Sequence, residues 1–547
     1  MNNNIILTKK MNVLLKTIMP ISAFFFTTLL SSRYLPKDIL VGSILSFVCI
    51  LYLAIKKMDF KKVNVFKLLI ALYICLFTID EWLKYCLVDR NLSLIETILR
   101  HLFNIHIGSN LVSIILGFCS IPFTVLLVYF FIDKVVPYIK KFFVSFSKIE
   151  KKYFLIFMAL AIFLTMAISY FTTAFSKPTI NGNTVWYDVI YTTDSGALSL
   201  HNTFLNVSYI ENDIRQPLFG IFALPFAVAA QLIASVCFFL PNGYAYEIIM
   251  TIIQFILLSI ITIMIGRMLN LNENKKIYLY LLFACSFPYL LFGFVIEQYV
   301  IVLFYLILAF YYHYNKPKKI NYFYVSAVGT LLTSGIIFPI ITKFKNIKKW
   351  VNSAFKCFLV FVLIVVVGGQ LPQIFSFSKR LDFLTSTFSG NITLNDKIYQ
   401  FTHFVENIFI ASPGSIGKVF GNPSYQLMTF NSISIIGIVL LVACFISFIL
   451  NRKNKMALIS ILWVCFSIIL LFIIGWGTTE NGLILYGLYF AWAYLVLIYL
   501  LLEKLLKKDI IFKSAIILIC IVMLVININE FVQILKFAVK YYPMVIN

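Results

Sequence analysis

Charged side chains are scarce in this sequence. Asp, Glu, Lys and Arg make up 12% of the chain, whereas hydrophobic residues make up 61% and the mean hydropathy is +0.95. Soluble globular proteins carry about 25% charged residues. The composition therefore excludes an ordinary soluble domain and indicates an all-α, polytopic integral membrane protein.

Acidic residues are the scarcer kind of charge. Against 45 Lys and Arg there are 22 Asp and Glu, which gives a formal net charge of +23. The basic clusters lie between apolar segments, where Lys and Arg hold cytoplasmic loops on their side of the membrane. We therefore interpret the positive charge as a topology signal and expect no nucleic-acid partner.

Motifs for metals, redox chemistry and nucleotides are also missing. The chain has 5 His and 10 Cys, and the cysteines sit singly inside apolar runs at no metal-ligand or redox spacing. Such cysteines behave as small core hydrophobes. No Gly-rich phosphate loop is visible. The sequence predicts no metal site and no resident cofactor, although it leaves open a requirement for a divalent cation.

Apolar segments long enough to cross a bilayer fill most of the chain, since a spanning helix needs about 20 apolar residues. Lys-rich loops at 56–62 and 134–152 place the N-terminus in the cytoplasm, and no cleavage site follows the first apolar run. The predicted spans, about thirteen, are 12–32, 38–55, 66–84, 110–132, 152–174, 244–269, 277–294, 297–314, 354–371, 433–451, 456–474, 481–502 and 512–528.

Some apolar segments are predicted not to cross. The positive-inside pattern is consistent only if 218–240, which contains Pro225, returns to the outer face. Segment 320–342 is expected to be a broken, re-entrant hairpin, and 87–107 an amphipathic segment at the outer interface. We predict an N-terminal helical module over 1–150, a second transmembrane domain over 151–547, and outer loops at 175–217 and 372–430.

Polar residues that could do chemistry collect on the outer face in this topology. The candidate site residues are Asp188, Asp194, His201, Asp213, Arg215, Gln216, Glu297, Gln298, Tyr299, Thr333, Lys379, Arg380 and Glu480.

Asp194 is the first candidate for a catalytic residue. It stands in the sequence Tyr-Thr-Thr-Asp194-Ser-Gly-Ala, whose small residues would let another molecule approach closely. A carboxylate there could accept the proton of an attacking hydroxyl as a general base. Asp188, in Trp186-Tyr187-Asp188, is the competing candidate, and its aromatic neighbours could instead stack on a sugar. The alternative for Asp194 is a structural cap that bonds nearby backbone amides.

The basic candidates suit an anionic group at the membrane surface. Arg215 could hold a phosphate or carboxylate through its guanidinium, or it could form a local ion pair with Asp213. Lys379 and Arg380 could bind a diphosphate, or they could anchor the loop at lipid headgroups. Glu297 interrupts two apolar spans, and ionisable groups near membrane depth are often functional.

These residues carry a resemblance to a known family. The phrase Arg215-Gln216-Pro-Leu-Phe219 after an acidic outer loop resembles the GT-C superfamily of membrane glycosyltransferases, which includes protein O-mannosyltransferases and the aminoarabinose transferase of lipid A. The turn Glu297-Gln-Tyr299 and the segment 329–334 resemble further family motifs. The resemblance covers roughly 150–500. Gln216 stands where His is common in relatives, and residues 1–150 would be an addition to the family fold.

The resemblance implies a specific reaction and specific partners. A sugar would pass, with inversion, from a polyprenyl-phosphate donor to a glycan, lipid or protein acceptor on the extracytoplasmic face of a bacterial plasma membrane. Asp194 would be the base, and Arg215 and the pair Lys379-Arg380 would bind the lipid phosphate. Three alternatives remain open from the sequence, namely a lipid or polysaccharide flippase or transporter, a surface-polysaccharide polymerase, and a purely structural scaffold.

Overall fold

A computed structural model describes most of the chain. The described residues are 4–6, 18–26, 62–79, 109–186, 189–200, 203–205, 215–237, 239–241, 243–315, 322–336, 347–367, 386, 389, 392–478 and 482–544. The chain divides into two compact units. The first comprises 1–146, 205–222 and 346–377, and the second comprises 147–204, 223–345 and 378–547.

The described residues are mostly α-helical. The principal helices are α1 (Val65–Phe77), α2 (Ser109–Phe130), α3 (Val136–Val144), α4 (Lys148–Phe171), α5 (Ser195–Leu200), α6 (Phe219–Ala234), α7 (Ala245–Met268), α8 (Glu273–Ala284), α9 (Phe287–Phe294), α10 (Tyr299–Asn315), α11 (Phe323–Thr330), α12 (Ile347–Val367), α13 (Leu394–Asn407), α14 (Ile435–Leu450), α15 (Lys455–Ser467), α16 (Gly487–Leu505) and α17 (Asp509–Tyr541). Short antiparallel strand pairs are β1 (Asn4–Ile6) with β2 (Lys62–Asn64), β3 (Thr179–Ile180) with β4 (Asn183–Thr184), and β5 (Gly414–Val419) with β6 (Asn422–Leu427).

The first unit packs α1 against α2. Its small core contains Ala71, Val125 and Tyr129. Pro122 interrupts the hydrogen-bond ladder of α2, and a serine from the helical segment 18–26 fills the break. The Ser22 hydroxyl donates to the Cys119 carbonyl at 2.7 Å and accepts from the Phe123 amide at 3.0 Å.

The second unit is a helical bundle with two chemically different ends. At the first, the basic end, Glu150 at the start of α4 binds Arg267 at the end of α7 (2.5 Å) and Lys276 near the start of α8 (3.0 Å). Lys275 pairs with Glu503 at the end of α16 at 2.9 Å. Since α4 starts where α7 ends, these helices are antiparallel.

At the opposite end of this bundle, the loop end, the segment that follows α4 contacts the start of α7. Lys177 Nζ donates to the Gly243 carbonyl at 3.3 Å, and the hydroxyls of Thr179 and Tyr244 lie 3.1 Å apart just before α7 begins. The Tyr246 hydroxyl also donates to the Thr203 carbonyl. The chain leaves the second unit after 204, rejoins it at 223 and reaches this same end again at 243, just before α7. That 218–240 returns to its own side of the membrane stays a prediction.

Six helices of the described residues are long and apolar enough to cross a membrane, or seven if the bent pair α8–α9 is one span. They are 111–144, 148–171, 245–268, 455–473, 483–505 and 509–541. The fold is thus all-α and compatible with an integral membrane protein. The count of thirteen stays a prediction, because spans such as 38–55 and the segment 87–107 lie outside the described residues.

Several predicted boundaries are wrong. The Lys-rich stretch 134–152 is not a loop, since a π-turn and α3 carry the helix to Val144, and only 145–147 separate it from α4. The predicted span 277–294 is two helices bent by 65° at residues 285–286, ahead of Pro288. Helix α17 runs 33 residues instead of ending at 528. At 1.5 Å per residue it is about 50 Å long, well beyond the roughly 30 Å hydrocarbon core.

The outer loop 372–430 contains a β-hairpin that the all-helical prediction lacked. Its strands β5 and β6 are joined by Phe420 and Gly421, both with positive φ (48° and 84°). Positive φ at both central residues defines a type I′ turn, whose twist suits a two-residue hairpin. A Phe in the first position disguises this turn in the sequence, because Asn or Asp is usual there.

Candidate functional site

The loop after α4 is tied to the C-terminal end of α17. The Thr173 amide and the Thr172 hydroxyl donate to the Tyr542 carbonyl at 3.0 and 2.7 Å. The Met544 amide returns a bond to the Phe171 carbonyl at 3.1 Å. The ends of α4 and α17, far apart in sequence, are therefore hydrogen-bonded to each other. These bonds fix the point where the acidic loop begins.

A second attachment joins the acidic loop to the β5–β6 hairpin. The Tyr191 amide donates to the Tyr425 carbonyl at 2.5 Å, and the Tyr425 amide donates to the Val189 carbonyl at 2.9 Å. The loop thus adds a short parallel bridge to strand β6 at Ile190. The β5–β6 hairpin therefore packs alongside residues 189–191, which lead to Asp194.

Glu530 of α17 accepts hydrogen bonds from both sides of this junction. Its Oε1 atom accepts from the Tyr425 hydroxyl at 2.7 Å, the Gly414 amide at 2.9 Å and the Tyr191 hydroxyl at 3.4 Å. Burial first, and then the negative charge of Glu530, raise the pKa of Tyr191 well above its usual value. Burial and the same carboxylate raise the pKa of Tyr425. Both hydroxyls therefore remain protonated donors at neutral pH.

One helical turn earlier, Asn527 uses its whole amide. The side-chain Nδ2 donates to the Cys285 and Phe409 carbonyls, both at 2.8 Å, and Oδ1 accepts from the Ala411 amide at 2.7 Å. Cys285 lies at the bend between α8 and α9, and Phe409 follows α13. This one buried side chain joins α17 to the bend and to the segment that leads into the hairpin.

The Asp194 loop is held by a carboxylate from the turn between α9 and α10. The Asp194 amide donates to Oε1 of Glu297, and the Gln298 amide donates to Oε2 at 3.3 Å. Glu297 is fully buried, with 0% of its surface exposed, whereas Asp194 is half-buried. Glu297 therefore holds the Asp194 backbone in place, and the Asp194 carboxylate is the more accessible of the two.

Gln254 of α7 fixes that turn in its own position. Its Nε2 donates to the carbonyls of Phe292 and Val295 at 3.3 and 3.0 Å, and its Oε1 accepts from the Glu297 amide at 3.1 Å. Gln254 is itself fully buried. A relay from α7 through Gln254 and Glu297 thus positions the Asp194 backbone.

Aromatic residues stand beside this relay. Tyr299 follows Glu297 by two residues, at the start of α10, and is buried. The Tyr299 ring packs edge-on against Tyr489, with 4.9 Å between centroids. The turn that contains Trp476 packs beside these rings, since the Trp476 indole N–H donates to the Tyr486 hydroxyl at 2.8 Å and Tyr486 lies 6.4 Å from Tyr489 between ring centroids.

Gly196 allows the chain to pass close to the start of α5. A Cβ at this position would lie 1.7 Å from the Val185 carbonyl oxygen and 3.0 Å from that of Trp186. The small residues after Asp194 were predicted to admit another molecule. The structure shows that at Gly196 the close neighbour is the protein's own backbone.

The other predicted residues belong to the first unit, to a turn after α11, or to segments outside the described part of the chain. Arg215 and Gln216 belong to the first unit, where Gln216 is buried and its carbonyl accepts the Phe219 amide at the start of α6 (3.1 Å). Thr333 is half-buried in a 3₁₀ turn after α11, where Leu331 breaks the helix. The remaining predicted site residues, all outside the described ranges, are Asp188, His201, Asp213, Lys379, Arg380 and Glu480.

Sequence reasoning missed three residues that position the site. Gln254, Asn527 and Glu530 are polar residues within strongly apolar helical sequences. That contrast was the available signal, because polar groups in such helices are kept for specific contacts. Most of their partners are backbone groups, however, and no sequence pattern shows which backbone a side chain will meet.

The arrangement suits proton transfer from a substrate hydroxyl. A half-buried carboxylate stands on a fixed backbone beside an aromatic wall, as a positioned general base requires. Within the described ranges, no cluster of three His, Cys, Asp or Glu could hold a metal ion. No protein-family model, curated protein or solved structure matches this chain. The GT-C resemblance therefore stays a prediction.

Proposed function

We propose that this protein is a membrane glycosyltransferase that moves a sugar from a polyprenyl-phosphate donor to an acceptor hydroxyl at the loop end of the second unit. The observation that carries the proposal is the half-buried Asp194 carboxylate, whose backbone is held by the buried Glu297. The bundle beneath it includes helices long and apolar enough to cross a membrane. A lipid-linked donor reaches such a site sideways through the bilayer.

Asp194 serves as the general base in this proposal. It accepts the proton of the acceptor hydroxyl as the oxygen attacks the anomeric carbon, the bond to the lipid phosphate breaks, and the phosphate leaves with the electron pair. Fixing the Asp194 backbone lowers the cost of orienting the base, because a positioned group acts without further ordering. The loop end is then extracytoplasmic, and the basic end is cytoplasmic by the positive-inside rule.

Sugar transfer by membranes that contain Asp194→Asn tests the proposal. The donors are labelled polyprenyl-phosphate mannose, glucose and aminoarabinose, and the wild type is compared with Glu503→Gln, a control at the basic end. We expect the control to match the wild type and Asp194→Asn to lose about a hundredfold or more of the rate. The Glu297 contact uses the Asp194 backbone, so this substitution leaves it in place.

The other outcomes are equally informative. If Asp194→Asn transfers sugar at the wild-type rate, another group is the base. If the inserted wild type transfers none of the donors, the transferase proposal fails. Movement of fluorescent polyprenyl phosphates across reconstituted vesicles then tests the flippase alternative.

A further inference from the structure

A groove opens at the loop end between the β3–β4 and β5–β6 hairpins. Its volume is about 540 Å³, within the range of roughly 300–1,000 Å³ typical of small-molecule sites. The described residues that line it are Ile180, Asn181, Asn183, Thr184, Val185, Trp186, Val419, Phe420 and Asn422.

The groove combines aromatic faces with side-chain amides. Trp186 is 51% exposed and Phe420, at the tip of the hairpin turn, is 85% exposed. Asn181 and Asn183 are exposed as well, and Asn422 is half-buried. Large aromatic side chains kept in solvent lose the free energy of burial, about 1.5–3 kcal/mol for a Phe. Their position around one cavity points to a ligand that covers them.

The chemistry of the lining selects a class of ligand. None of the described lining residues is ionisable, which disfavours phosphate, carboxylate or ammonium groups as the main contact. Each Asn amide offers both donors and an acceptor, as pairs of neighbouring sugar hydroxyls require. The negative face of an aromatic ring attracts the weakly positive C–H face of a pyranose ring. A neutral saccharide meets all of these conditions.

The groove adjoins the candidate base. Val185 and Trp186, which line it, lie directly against Gly196 on α5, two residues after Asp194. The hairpin wall is fixed to the same loop through Tyr191 and Tyr425. A saccharide in the groove is thus held by elements that also position Asp194.

We propose that this groove binds a neutral glycan, and that this glycan is the acceptor of the transfer reaction. The acceptor role rests on the proposed function, whereas glycan binding itself is measured without any donor. Failure of one is therefore distinguishable from failure of the other.

Isothermal titration calorimetry on the full chain in lipid nanodiscs tests the binding. Maltoside and glucoside detergents are avoided, because their headgroups are themselves neutral sugars. The probes are mannotriose, cellotriose and chitotriose, with trigalacturonic acid as a charged comparison. The variants are Trp186→Ala, Phe420→Ala and the conservative Trp186→Phe. Ile416→Ala is the matched control, since Ile416 is 54% exposed on the same hairpin but does not line the groove.

We expect at least one neutral trisaccharide to bind, and Trp186→Ala and Phe420→Ala each to raise its Kd about fivefold to tenfold. Trp186→Phe should retain most of the affinity, and Ile416→Ala should stay within about twofold of the wild type. The proposal is overturned if no neutral probe binds up to about 10 mM, if trigalacturonic acid binds equally well, or if both alanine variants bind like the wild type.

Discussion

Replacing Glu297 by Gln tests whether this buried carboxylate fixes the Asp194 loop. Its two oxygens accept separate backbone amides, from Asp194 and Gln298, and the side chain is fully buried. A glutamine of the same shape has only one acceptor oxygen. One backbone N–H must then face the new NH₂ group, with no water available to replace the lost bond.

The expected magnitude follows from that loss. A hydrogen bond to a charged group contributes about 1.5–3 kcal/mol. The free energy of opening the loop should fall by about this amount, which makes amide exchange about 10- to 150-fold faster. The effect should be local, because exchange reports the opening of individual segments.

Hydrogen–deuterium exchange by mass spectrometry on the protein in nanodiscs measures this change. We expect faster exchange in peptides that cover residues 190–200 of Glu297→Gln. Glu503→Gln is the matched control, because Glu503 is a partly exposed carboxylate paired with Lys275 at the basic end. It should leave exchange in 190–200 unchanged. Wild-type exchange of 190–200 in Glu297→Gln would refute the role assigned to this carboxylate.

Two further substitutions test how the site is built. Gly196→Ala places a Cβ 1.7 Å from the Val185 oxygen and should destabilise the protein by about 1–3 kcal/mol in thermal unfolding; Gly335→Ala, whose nearest neighbour atom is 3.8 Å away, should have a much smaller effect. Asn527→Leu leaves three buried backbone groups without their partner and should lower the melting temperature clearly, at about 1–3 kcal/mol for each group before relaxation. The exposed Asn315→Leu is its control, and equal melting temperatures for the two variants would contradict the joining role of Asn527.

The helical, membrane-compatible character of the chain follows from its sequence, because apolar length and sparse charge are properties of the chain itself. The residues at which the helices begin and end were harder to predict from the sequence. Beyond 528, α17 carries the buried Glu530, whose carboxylate accepts hydrogen bonds at the loop end. Hydropathy averages such residues into a loop, since it takes no account of the partners that bury them.

The site was partly accessible from the sequence for a similar reason. Asp194 and Glu297 were both singled out as acids in polar interruptions, and the structure brings them into contact. Their unequal burial was not predictable, because it depends on Gln254 and on the turn that Gln254 holds. The hairpin at 414–427 was missed because Phe420 occupies a position at which a type I′ turn normally shows Asn or Asp.

The polar residues of the helices bear on the choice between an enzyme and a transporter. A transport pathway needs ionisable groups that exchange partners as the substrate passes. Gln254, Asn527 and Glu530 instead bond to backbone groups and tyrosine hydroxyls of the same bundle. Breaking those bonds would leave several buried groups unsatisfied at once, at about 1–3 kcal/mol each. A rigid site that orients a base uses such contacts.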